Sequence, residues 1–119
     1  MHDFRRLLVW QRAHGLALSL YEVTEPFPMT ERFGLQSQIR RAAASIAANV
    51  AEGCGRASNA DLARFCAMAR GSASELENHL LLAAALDLLS REQRDEALAT
   101  LQEIKRMLTK LIGVLSTKY

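Results

Sequence analysis

The only prolines in this chain are Pro26 and Pro28, so everything from Met29 to Tyr119 lacks the one residue that cannot continue a helix. That stretch is filled with Ala, Leu, Glu, Gln and Arg, all good helix formers, and β-branched residues occur only in short apolar runs. The chain reads as all-α. Its 119 residues suit a single domain over 1–119, and half of them are apolar, enough to build a core without metal or disulfide staples. No run approaches the roughly 18 apolar residues of a membrane span. Met1-His2-Asp3-Phe4-Arg5-Arg6 is not followed by a long apolar signal core, so a cytoplasmic protein without membrane contact is expected.

Hydrophobic spacing divides the chain into four amphipathic helices. Val9, Ala13, Leu16, Leu20 and Val23 recur at three- and four-residue steps and predict a helix over 8–23, ended by the approach to Pro26. Thr30 is the expected N-cap of a second helix over 31–52, with Glu31 in its first turn and Leu35, Ile39, Ala42, Ile46 and Val50 facing inward. Gly53-Cys54-Gly55 should stop it, since glycine readily takes the left-handed conformation of a helix end. Ser58 and Asp61 open a third helix over 59–87, with Leu62, Phe65, Ala69, Ala73, Leu76, Leu80 and Ala83 inward. Ser90-Arg91-Glu92-Gln93 is a capping box for a fourth over 91–116, carried by Leu98, Leu101, Ile104, Leu108, Leu111 and Leu115. Short connections make an antiparallel up-down four-helix bundle the economical architecture.

The second helix carries more than its core stripe. Ala44, Ala47, Ala48 and Ala51 gather on the side away from Leu35 and Ile39, where a surface helix normally carries charge. They form a candidate subunit interface, because alanine lets another backbone approach closely; alanine is equally the best helix former for an exposed face. Gln38, Arg41, Ser45, Asn49 and Glu52 run between the two faces as a polar stripe, and the third helix offers Arg70, Ser74, Glu75, Glu77 and Asn78 beside Gly71-Ser72. Arg41, Asn49, Glu52 and Glu75 are the expected organisers of a buried hydrogen-bond network that sets helix register.

Catalytic and metal chemistry find little support. His2, His14 and His79 share no i,i+4 pair with one another or with Cys54 or Cys66, and no Glu-x-x-His pair occurs, so neither a zinc nor a di-iron site is expected. No cofactor is implied. Gly53-Cys54-Gly55-Arg56 resembles a small anion nest but lacks the Gly-Lys-Ser/Thr ending of a phosphate loop, and a helix-helix turn explains it more simply. An enzyme would need a pocket joining Glu75 and Glu52 to His79 or His14.

Net charge is only +2, yet residues 1–70 hold nine arginines, six acids and no lysine. Arg5, Arg6, Arg12, Arg40, Arg41 and Arg56 are the candidate contacts to nucleic acid or a protein partner, if the fold brings them together. Arginine also anchors salt bridges and interfaces. Trp10, the lone tryptophan, reads as a core or interface residue.

Several segments together resemble a known family. Phe4-Arg5-Arg6-Leu7-Leu8-Val9-Trp10-Gln11-Arg12-Ala13, Tyr21-Glu22-Val23-Thr24 with Phe27-Pro28, and Gly34-Leu35-Gln36-Ser37-Gln38-Ile39-Arg40-Arg41-Ala42-Ala43 are similar to the 23S rRNA intervening-sequence proteins, also called four helix bundle proteins. Ser45-Ile46-Ala47-Ala48-Asn49-Val50-Ala51-Glu52-Gly53 and Arg70-Gly71-Ser72-Ala73-Ser74-Glu75-Leu76-Glu77 continue the match in order. The resemblance implies a bundle assembled into a homopentameric ring, with no established enzymatic activity or cofactor. Some members are encoded within ribosomal RNA genes, and a related branch resembles the retroelement accessory protein that binds a reverse transcriptase and nucleic acid. That branch is strongly basic and this chain is not, although five copies would carry about +10 in one ring. The expectation is a non-enzymatic oligomeric module whose partner is RNA, DNA or a nucleic-acid-processing protein; the alternative is a structural scaffold without nucleic-acid affinity.

Overall fold

The computed structural model describes residues 3–117, and within them the chain forms α1 (Leu8–Thr24), α2 (Leu35–Cys54), α3 (Asn59–Ala85) and α4 (Arg91–Leu115), with no strand. Single 3-10 turns at Phe4–Arg6 and Met29–Glu31 precede α1 and α2. The helices run up and down in a rod of 51 × 21 × 20 Å. Among neighbouring helices, packing is most extensive between α2 and α3 and sparsest between α1 and α4.

Local chemistry sets most helix ends. The Ser58 hydroxyl accepts the Asp61 N–H at 3.1 Å. Ser90 and Gln93 cap each other reciprocally at 3.0 and 2.9 Å, the expected capping box. α2 begins at Leu35 rather than beside Thr30, because Thr30 lies in the 3-10 turn and the Glu31 carboxylate accepts the Leu35 N–H at 3.1 Å. α3 stops at Ala85: Asp87 takes φ 60°, Leu88 N–H reaches Ala83 O at 2.9 Å and Asp87 N–H reaches Ala84 O at 3.0 Å. Those two bonds are a Schellman closure, with aspartate where glycine is usual.

No glycine has a positive φ, so the expected left-handed stop after α2 does not occur. Gly53 stays helical and serves close packing instead. A Cβ there would sit 2.9 Å from both Leu62 Cδ1 and Phe65 Cβ, so α2 and α3 pack closely at Gly53.

The core follows the expected inward positions of α2 and α3, all of which are buried. α4 contributes Ala97, Leu101, Ile104 and Leu108, while Leu98, Leu111 and Leu115 are only half-buried. α2 is the central helix: Ala43, Ala47, Gly53 and Cys54 are buried as well, so it packs on two sides rather than one.

Candidate functional site

The polar stripe of α2 does meet α3, but at the surface rather than in a buried network. Arg41 Nη2 donates to Glu75 Oε2 at 2.9 Å, and His79 Nε2 donates to the same oxygen at 3.2 Å. Gln38 Oε1 accepts from Arg41. One turn further along, the Ser45 and Ser72 hydroxyls share a hydrogen bond at 2.9 Å, and Asn49 Nδ2 donates to Ser45 O at 2.9 Å. Two of the four expected organisers, Arg41 and Glu75, are thus joined across the seam. Asn49 reaches the seam through Ser45, since its amide also donates at 3.1 Å to the hydroxyl that meets Ser72, whereas Glu52 does not and pairs with Arg56 at 2.8 Å.

The hydrogen bond from His79, followed by the charge of Arg41, holds the Glu75 carboxyl below the ordinary glutamate range. The hydrogen bond from Lys105 at 2.7 Å does the same for Glu77 between α3 and α4. A carboxyl whose folded pKa is depressed stabilises the fold above its unfolded pKa and loses that contribution as pH falls through the folded value. Stability should therefore fall below about pH 4.3, the unperturbed glutamate value. The double variant Glu75→Gln/Glu77→Gln should flatten that acid limb in urea titrations, by a modest amount because both pairs are solvent-screened. An unaltered acid limb in the double variant would count against both pairs.

The six candidate arginines do not converge. Arg5, Arg6 and Arg12 lie at the start of α1 and Arg56 just beyond the end of α2, whereas Arg40 and Arg41 sit at the opposite end. The length of α1, about 25 Å at 1.5 Å per residue, separates the two groups. Five of the six also have carboxylate partners: Arg5 with Asp3, Arg12 with Glu103, Arg40 with Glu25, Arg41 with Glu75 and Arg56 with Glu52. Arg40 is a structural lock rather than a surface contact. It is 21% exposed, donates to Thr24 Oγ1 at 3.0 Å and Tyr21 O at 2.9 Å, and covers the Tyr21 ring at 4.6 Å.

The alanine face is narrower than helical phasing suggests. Ala47 is buried inside the chain, since α2 turns that edge into the core, and Ala51 is half-buried; Ala44 and Ala48 are exposed. Leu18, one turn before the Tyr21 that lies under Arg40, is exposed at 58%. On the α3 side a Cβ at Gly71 would meet nothing within 4 Å.

Glu75 and Glu52 are not brought together in one group with His79 or His14. Glu75 and His79 touch, but Glu52 turns to Arg56, and His14 stacks on Trp10 with ring centroids 4.6 Å apart. His2 lies outside the described residues. Among the described residues no three His, Cys, Asp or Glu side chains form a metal-binding group, and no helix is long and apolar enough to cross a membrane. Cys54 and Cys66 are both buried, and burial raises both thiols, Cys66 to about 11, so neither is an activated nucleophile.

One cluster has no counterpart in the helical spacing of the sequence. An open groove of about 380 Å³ lies at the start of α2, lined by Tyr21, Arg32, Phe33, Gln36, Ser37, Arg40 and Arg41. The sequence signal was the Arg32-Phe33-Gly34 run closing a proline-containing loop, an aromatic where helical periodicity assigns no inward position.

Comparison with known proteins bears on this architecture. The family model described as 23S rRNA-intervening sequence protein matches residues 5–110. A solved structure from Bacteroides thetaiotaomicron, described as a protein with unknown function from the S23 ribosomal protein family, superposes with a TM-score of 0.78 at 26% sequence identity. The similarity covers 92% of this chain and 100% of that one. No curated protein matches.

Proposed function

Because the chain belongs to the 23S rRNA-intervening sequence protein family, we propose that it works as a non-enzymatic assembly and binding module, a homopentamer associating with nucleic acid or a nucleic-acid-processing protein. The observation that carries the assembly half is the outer face of α2, where Ala44 and Ala48 are exposed, as are Leu18 on α1 and Gly71 on α3. Small uncharged residues on the outer face of a helix suit a second helix better than water. Native mass spectrometry at micromolar protein should record five times the 13.2 kDa protomer mass. Ala48→Glu should shift that mass toward the monomer while leaving the helical circular dichroism intact. A wild-type monomer would overturn the assembly reading.

The binding half is tested by anisotropy titration against RNA and DNA at two salt concentrations. Binding at micromolar protein that weakens with salt is expected; none at all would leave the scaffold reading. The carboxylates on five of the six candidate arginines favour that second reading for the sides of the bundle, because a neutralised guanidinium releases few counterions.

A further inference from the structure

Phe33 is 88% exposed, the most exposed large apolar side chain among the described residues. The Arg32 guanidinium carbon lies 5.7 Å from the ring centroid. Unlike its neighbours Arg40 and Arg41, Arg32 has no carboxylate partner among the described residues. Tyr21, with one face of its ring under Arg40, lines the open groove of about 380 Å³ beside Phe33. Polar groups rim it. Gln36 spends its amide N–H on Thr24 O at 2.9 Å and keeps its side-chain oxygen, and the Ser37 hydroxyl is exposed.

An open aromatic face, an unpaired guanidinium, an amide oxygen and a hydroxyl along one open groove are what an unstacked nucleobase and its phosphate require. A protein hot spot would instead set the ring at the centre of an apolar patch ringed by water-excluding contacts. A duplex keeps its base faces stacked and cannot offer one to Phe33. We infer that Phe33 and Arg32 form a stacking platform for a single-stranded nucleic acid at the α1–α2 end of the bundle, an inference that rests on the nucleic-acid half of the function proposed above. Glu25 and Glu75 neutralise Arg40 and Arg41, so each platform offers one free positive charge. Its salt dependence is therefore shallow, with a logarithmic slope of about −0.7 for a single strand.

The test is fluorescence anisotropy with labelled oligoadenylate RNA, the corresponding DNA strand and the RNA duplexed with its complement, against wild type, Phe33→Ala, Phe33→Trp and Arg32→Glu. Circular dichroism verifies folding, and native mass spectrometry follows the oligomer. Single strands should bind ahead of the duplex. Phe33→Ala should weaken that binding about tenfold, Phe33→Trp should retain it, and Arg32→Glu should weaken it. The RNA and DNA arms show whether the ribose 2′-hydroxyl is read, by the groove-rim groups of Gln36 and Ser37. RNA bound equally by wild type, Phe33→Ala and Arg32→Glu would overturn the platform while the broader binding reading stood. Absence of binding by any strand would remove both. Unaltered RNA affinity with a lowered oligomer mass in Phe33→Ala would assign the ring to a subunit contact and overturn the platform.

Discussion

Arg40→Ala should destabilise the protein by about 2–3 kcal/mol, the range for losing buried-side hydrogen bonds from a charged group. The side chain joins three parts of α1 to α2: the Thr24 hydroxyl at 3.0 Å, the Tyr21 carbonyl at 2.9 Å and the Tyr21 ring at 4.6 Å. Thr24 is itself fully buried and donates to Leu20 O at 2.7 Å, so the Arg40 head reaches into the packed end of α1. The fourth partner, Glu25, is largely exposed and adds little. Arg40→Lys should recover only part of the loss, since an ammonium cannot reproduce the fork that spans hydroxyl, carbonyl and ring. The measurement is the urea midpoint at fixed protein concentration, because assembly would couple stability to concentration. A midpoint equal to wild type, accompanied by weakened RNA binding, would return Arg40 to the role of surface contact.

Two glycines inside helices should respond to substitution with opposite signs. Gly53→Val should cost about 3 kcal/mol, at the upper end of the usual penalty for overpacking. The new Cβ alone would lie 2.9 Å from Phe65 Cβ, an atom tied to the α3 backbone, so relief requires α2 and α3 to separate. Even Gly53→Ala should destabilise, the steric cost exceeding the roughly 1 kcal/mol that alanine gains over glycine in a helix. Gly71→Ala meets no atom within 4 Å and should stabilise the protomer by about that same 1 kcal/mol. If the outer α2–α3 face packs against another subunit, the same Gly71→Ala change should lower the oligomer's resistance to dilution. Thermal unfolding checks the protomer and native mass spectrometry the assembly. A stabilising Gly53→Ala would show that the two helices are not in close contact there.

Much of the bundle was legible from the chain. The inward residues of α3 and the Ser90 capping box depend on neighbours three and four positions away, and such local geometry is written directly in the sequence. Thr30 misled because two acceptors competed for one helix start: the hydroxyl of Thr30 and the carboxylate of Glu31, whose longer side chain reaches the Leu35 N–H. Gly53 misled in a different manner, since glycine serves both to turn a chain and to admit a neighbour, and only the position of α3 distinguishes the two uses.

The candidate site was less legible. Arg40 and Arg41 are adjacent in sequence, yet one is inserted beside Thr24 and the other is 60% exposed against Glu75. A step of 100° around α2 sends them toward different helices, and which helix lies on which side is a property of the assembled bundle. The same holds for Ala47 and Ala48, one buried and one open.

By itself the sequence determined an all-α chain, the existence of its four helices, their core stripes and two of their caps, because those features follow from residue spacing and short-range hydrogen bonds. Tertiary structure alone decided which arginines are neutralised, which alanines face out and that Phe33 stands beside an open groove. Those outcomes depend on residues up to 91 positions apart, such as Arg12 and Glu103, brought within 3.5 Å only when the helices pack.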